Sequence, residues 1–406
     1  MRIHTGVAVG LWAATAAAAF ALGRLARPPQ VDPMPGDLGV AVRAALGEAD
    51  VLDRLRRIGG LLEHLDPATL PGVRDVYDEM LPLVGQWEIR PFVAAWARFD
   101  PDGALDHTAA WPLRLKREIG VEAAMEGFAL RDPPAARQAF ERLAAEHRAL
   151  REKLLIGLVA GWTHSGQAGL DAYLAGLPPA SLETATGVAV GALMRRGGTE
   201  ATLGFVGPVL RGDHDLALQR SLFRRATRSV ARVEPERGAA WAIEHAGKEY
   251  AADGPRIVAE QWGARDGRAA LRWVREQVPA ELRDPATREA FVHFLRTDPQ
   301  GAQAWLASET LSEFHDPALD VYARRLDDRA PEDAIGWCER IRDTERRRGC
   351  LKAAATEWYR RDPVAAEAWL QQSPLDEAAR HLARQPPAGR QRSRGAPRPR
   401  AAGGPS

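Results

Sequence analysis

The chain has 406 residues, 45% of them apolar and 27% charged, a length beyond the usual single core that calls for several domains or an elongated repeat array. Its net charge of +1 conceals a segregation: residues 1–27 carry +3, residues 380–406 carry +7, and residues 28–379 carry −9. A body of that sign argues against nucleic acid as a partner, since phosphate binding needs clustered cations, and leaves only the tail for such a role.

The first element is the run Gly6–Leu22, 17 uncharged residues with Arg2 before it and Arg24 and Arg27 after it. That length sits at the lower edge of what spans a bilayer and is long for a signal-peptide core. An uncleaved signal anchor over residues 1–27 is the preferred reading. The alternative is a cleaved secretory signal peptide, although its small-x-small site, Ala19-Phe20-Ala21, lies inside the apolar run. No Cys follows the run, which excludes a lipoprotein anchor. A buried helix of the body is disfavoured by the linker-like Arg27-Pro28-Pro29-Gln30 that follows at once. Either export reading puts the body outside the cytoplasm: held at the membrane in the periplasm through residues 6–22, or secreted.

Residues 28–90 are expected to form a linker and an N-terminal helical cap. Val51–Ile58 and Val73–Met80 have helical apolar spacing but stand off the repeat that follows, as suits a segment shielding the open end of a stack.

Residues 91–384 carry a repeated frame. In its clearest copy, Trp358 is an anchor, Asp362-Pro363 follow at four and five residues, Ala366 at eight and Trp369 at eleven. The frame fits Phe294, Asp298, Pro299, Ala302 and Trp305; Trp262, Asp266, Ala270 and Trp273; and Leu326, Ala330, Pro331, Ala334 and Trp337. Earlier come Val230, Glu234, Pro235 and Trp241; Phe128, Asp132, Pro133 and Ala136; and Trp96, Asp100, Pro101 and Ala104. Trp162 with Tyr173 is a fair copy and Met194 with Phe205 a weak one. The steps between anchors are 32, 34, 32, 36, 32, 32, 32 and 32 residues.

Physical chemistry explains the frame. Asp caps a helix by accepting from free N–H groups of the first turn. Pro loses no bond at the first helical position, and the residue before it resists the helical region, so the preceding helix ends there. Asp100, Asp132, Asp298 and Asp362 are therefore expected to end one helix and cap the next. Ala at +8 and the aromatic at +11 share a face of the new helix. A second amphipathic stretch completes each unit, as in Thr344–Trp358, Asp316–Leu326 and Ala286–Phe294. The expected fold class is all-α: an α-solenoid of stacked antiparallel helix pairs with a period of about 32 residues.

The unit resembles the tetratricopeptide repeat in size and partly in phase: Pro363 and Trp369 are six apart, the offset between the closing Pro of one such unit and the Trp of the next. The Leu-Gly pair that should follow that Trp is replaced by Leu370-Gln371. The pattern Trp96-Ala97-Arg98-Phe99-Asp100-Pro101 is also similar to exported bacterial repeat proteins. These resemblances imply a fold and an exported setting, and no reaction.

A final helix is expected near Asp376–Leu382. Residues 385–406 form an Arg/Pro/Gly-rich tail expected to be disordered. Arg390, Arg392, Arg394, Arg398 and Arg400 could touch anionic lipid, although a non-specific end is the plainer reading.

Chemistry-bearing motifs are sparse. Gly247-Lys248 lacks the earlier Gly of a phosphate loop, and neither Gly-x-Ser-x-Gly nor His-Glu-x-x-His occurs. Asp213-His214-Asp215 reads as a solvated turn rather than a metal site, for want of a further ligand nearby. His164-Ser165 reads as a polar loop rather than a nucleophile pair, and Asp327-Asp328 as acids placed ahead of a helix start. No cofactor or metal is expected. The frame tryptophans Trp96, Trp162, Trp241, Trp262, Trp273, Trp305, Trp337, Trp358 and Trp369 are read as core rather than as a sugar-stacking surface, because each keeps one phase. Trp111, followed by Pro112, is expected to be partly exposed. Cys338 and Cys350 lie equidistant from the turn near position 344, where antiparallel helices bring residues side by side, so a disulfide competes with two packed thiols.

Three functions fit. The first is a non-enzymatic extracytoplasmic scaffold for protein–protein interaction. The second is an α/α-toroid enzyme acting on glycans, with carboxylates at one rim. The third is an accessory subunit of a membrane assembly, held by the anchor and the Arg tail.

Overall fold

The computed structural model describes residues 37–326 and 330–385. The apolar run 6–22, Asp327-Asp328 and the tail arginines lie outside the described residues. Within the described part the chain is all-α, with no strand, and no helix there is long and apolar enough to cross a membrane. It divides into two compact units, one ending at Gly166 and the other starting at Gln167.

The first unit contains α1 (Leu38–Leu46), α2 (Val51–Leu62), α3 (Leu70–Met80), α4 (Gln86–Trp96), α5 (Pro101–Ala109), α6 (Arg114–Arg131), α7 (Pro133–Glu146) and α8 (Arg151–Ser165). The even-numbered helices pack side by side in chain order. Their side chains fix a parallel register. Arg54 Nε lies 3.1 Å from Glu88 Oε1 near the starts of α2 and α4, and Arg98 donates to the Leu62 carbonyl at their ends. From α6, Lys116 donates to the Val84 carbonyl near the start of α4, and Arg131 donates to the Arg98 carbonyl (2.7 Å) past its end.

The second unit contains α9 (Leu170–Ala175), α10 (Pro179–Arg211), α11 (Leu216–Val233), α12 (Pro235–Glu244), α13 (Gly254–Gly263), α14 (Gly267–Gln277) and α15 (Ala280–Thr297). It continues with α16 (Pro299–Ser308), α17 (Asp316–Leu326), α18 (Pro331–Cys338), α19 (Thr344–Arg361), α20 (Pro363–Gln372) and α21 (Glu377–Ala383). Helices α11, α13, α15, α17 and α19 pack each on the next. One apolar core cluster runs from Ala231 to Ala383.

The frame has one local geometry. Asp100, Asp132, Asp266, Asp298 and Asp362 each accept from the N–H three residues on, at 2.9–3.0 Å. Each also donates its own N–H to the anchor carbonyl four residues back, at 2.7–3.2 Å. One residue thus closes the preceding helix and opens the next. Glu234 and Ala330 keep nearly the same backbone (φ −129°, ψ 81° and φ −145°, ψ 73°) without a side-chain cap. In the copies anchored at Trp162 and Met194, which have neither the Asp nor the Pro, the +4 position is a glycine with positive φ: Gly166 at 71° and Gly198 at 62°. A left-handed residue ends a helix as effectively as a cap does, and Gly198 puts the kink into α10.

The region expected to stand off the frame holds an earlier copy: Leu62, Asp66 and Pro67 lie 34 residues before Trp96, Asp100 and Pro101. Asp66 Oδ1 accepts from the N–H groups of Ala68 and Thr69. Leu70 and Val73 replace Ala and Trp at +8 and +11 there, which hides the copy.

Candidate functional site

The +8 alanines Ala104, Ala136, Ala270, Ala302, Ala334 and Ala366 are all fully buried, because a neighbouring helix closes on that position. Trp96, Trp162, Trp241, Trp262, Trp273 and Trp305 are buried, while Trp337, Trp358 and Trp369 are half-buried against the same core. Anchor and +11 rings meet directly in Trp262–Trp273 (5.9 Å between centroids) and Trp358–Trp369 (6.3 Å). In the first copy, the Trp96 indole N–H donates to the free oxygen of the capping Asp100, at 3.0 Å. Trp111 corrects the expectation of partial exposure. It is 3% exposed, and its indole N–H donates to Asp78 Oδ1 on α3 at 3.0 Å.

The remaining candidates disperse. Asp215 caps α11 by accepting from Ala217 N–H at 3.0 Å, while His214 faces Asp171 at 3.8 Å. The Ser165 hydroxyl donates to the Trp162 carbonyl at 2.8 Å, and His164 faces Glu126 at 3.5 Å. Cys338 and Cys350 are joined, Cα atoms 5.5 Å apart, across the turn between α18 and α19.

One cleft in the second unit gathers chemistry. It holds about 140 Å³ and is lined by Arg268, Leu271, Arg272 and Arg275 of α14, Trp305 of α16, and Glu309 and Phe314 of the link to α17. The arginines share a helix face through spacings of four and three residues. Arg268 donates to the Gly301 carbonyl at 3.4 Å, and Arg275 reaches Glu309 at 3.3 Å. Arg272 is exposed. Behind Trp305, His315 is 2% exposed. Ser312 N–H donates to its Nδ1 at 3.0 Å, so Nε2 carries the proton and faces Glu309 Oε2 at 3.7 Å. Burial holds the His315 imidazole below its ordinary pKa, in the neutral form. The cleft therefore offers three guanidinium groups against one carboxylate, with an aromatic floor, a setting suited to a carboxylate-bearing chain.

No protein-family model, curated protein or solved structure matches this chain. What the molecule can do rests on its own geometry. Sequence reading missed the cleft because Arg268, Arg272 and Arg275 are an ordinary solvated helix face until α16 and the 309–315 link stand opposite them.

Proposed function

We propose that this chain is an extracytoplasmic α-solenoid scaffold, tetratricopeptide-like in unit size, that binds another protein and performs no reaction. One observation carries the reading: side-chain contacts recur between residues one period apart. Arg90–Glu122, Arg228–Glu260 and Arg288–Asp320 are each separated by 32 residues, as are Arg265 and the Val233 carbonyl it bonds. Neighbouring units thus meet through equivalent positions, which is what a one-dimensional stack requires. The Cys338–Cys350 bond suits an oxidising compartment and accords with a body exported behind residues 6–22. The cationic cleft suits an acidic segment of the partner.

The test places a photoreactive residue at Arg272 in the full-length protein, with Arg237, exposed on α12, as the control position. The expected result is one protein trapped reproducibly at 272 and absent at 237, with less capture at high salt. Equal adducts at both positions, or none at 272, would contradict it.

A further inference from the structure

The turns of the first unit differ from those of the second. The links 47–50, 81–85 and 110–113 join α1 to α2, α3 to α4 and α5 to α6. Because α2, α4 and α6 run parallel, these links and the helix starts that follow them share one edge. Six large apolar side chains stand out there: Val51 and Leu52 (50% and 78% exposed), Leu83 and Trp87 (80% and 65%), and Leu113 and Leu115 (39% and 66%). Leu83 and Leu115 each precede a partner of the Lys116–Val84 contact, so their helix ends are adjacent. Both units bury apolar link residues, Leu81, Val84 and Trp111 in the first and Val278, Ile341 and Leu375 in the second. Among the described residues, however, the second unit exposes no large apolar side chain on its matching links or at the starts of α11, α13, α15, α17 and α19.

The start of α6 adds charge. Its first four residues, Arg114-Leu115-Lys116-Arg117, carry three cations and no acid, without a side-chain cap. A helix start carries the positive end of the macrodipole and favours acids, so this choice works against the helix itself. Lys116 is used within the fold, on the Val84 carbonyl, which leaves Arg114 and Arg117 as the cations this edge can offer a ligand. Arg114 is 87% exposed and pairs with Glu118. At the start of α2, Asp53 pairs with Arg56 and Glu48 with Arg57, while the exposed Asp50 caps the helix by accepting from Asp53 N–H, so the cationic part of the edge is the start of α6.

Exposed Leu and Trp flanked by Arg and Lys on one edge are the mixture that seats at a lipid–water boundary, apolar groups in the acyl region and cations at the headgroups. We propose that the turn edge formed by α2, α4 and α6 docks on an anionic phospholipid surface. The surface shares no residue with the cleft and does not depend on the scaffold reading or on the nature of residues 6–22.

The test reconstitutes the full-length protein with vesicles of phosphatidylcholine containing or lacking phosphatidylglycerol. Single spin labels at positions 83 and 115, and at exposed Val364 as a control, report collision with oxygen against a water-soluble relaxant. The expected result is lipid contact at 83 and 115 but not at 364, in phosphatidylglycerol vesicles only. Arg114→Glu with Arg117→Glu should reduce that contact at least about tenfold, and should fold well because acids suit a helix start. Water exposure at 83 and 115 with vesicles present would overturn the proposal. So would equal contact with neutral vesicles, or burial that grows with protein concentration in their absence, which would assign the edge to a second copy.

Discussion

Ala330 is a missing cap in an otherwise prepared site. Its backbone, φ −145° and ψ 73°, overlays that of the capping Asp100 at −142° and 73°, and Pro331 already occupies the first helical position. Ala330→Asp should therefore place a carboxylate oxygen on the N–H of Asp333 without rearrangement. Gaining a cap is worth about 1 kcal/mol. The helix dipole adds a few tenths, which repulsion from Glu332 and Asp333 offsets. Ala330→Asn supplies the cap without the charge and should gain about the same. Helices open locally, so the suitable assay is hydrogen exchange of the α18 amides, expected to slow about fivefold for 1 kcal/mol. Glu234→Asp is the matched control. The Glu234 carboxylate accepts from Thr199 Oγ1, and shortening it trades that bond for the cap, with little net change. Unchanged or faster exchange in both Ala330 variants would refute the idea that the frame sets cap geometry independently of the residue in it.

Ala302→Leu should destabilise the second unit by about 1–3 kcal/mol or more through overpacking at a fully buried site, and Trp305→Ala by about 3–5 kcal/mol through a cavity. A larger loss from an exposed neighbour such as Ala304→Leu would contradict the assigned phase, as read by urea midpoints. Cys338 and Cys350 close a short loop, with a sequence separation of 12. Reduction should cost the α18–α19 pair about 3 kcal/mol, seen as lost amide protection over residues 331–361; undiminished protection would contradict this. Burial lowers the pKa of His315 and of His245 from the ordinary 6.5, so the unfolded chain takes up protons first as pH falls. Stability from these groups is complete above pH about 6.5 and is lost below it. His315→Gln with His245→Gln should flatten that slope, and an unchanged slope would assign it to other groups.

The helix junctions were legible in the sequence because they are local: a cap, a proline and a terminator within five residues decide them. Where the same junction uses other chemistry, as with Gly166 and Gly198, only a backbone shows the equivalence. The copy at Leu62–Asp66–Pro67 escaped because its packing residues, Leu70 and Val73, are not the Ala and Trp that mark the others. Trp111 was misplaced for the opposite reason. Its environment depends on Asp78, 33 residues away, and no local rule supplies that partner. The cleft and the apolar edge are tertiary products, made when separate helix faces or helix starts are set side by side.

The most direct test of stacking is pulsed electron resonance between labels two units apart at the exposed +6 position of the frame: 236 with 300, 268 with 332, and 300 with 364, attached without cysteine chemistry. Successive helix pairs spaced by about 8–10 Å should give three similar distance distributions near 20 Å. Three dissimilar distances would show that the sequence period is not a period in space, and would contradict the scaffold at its foundation.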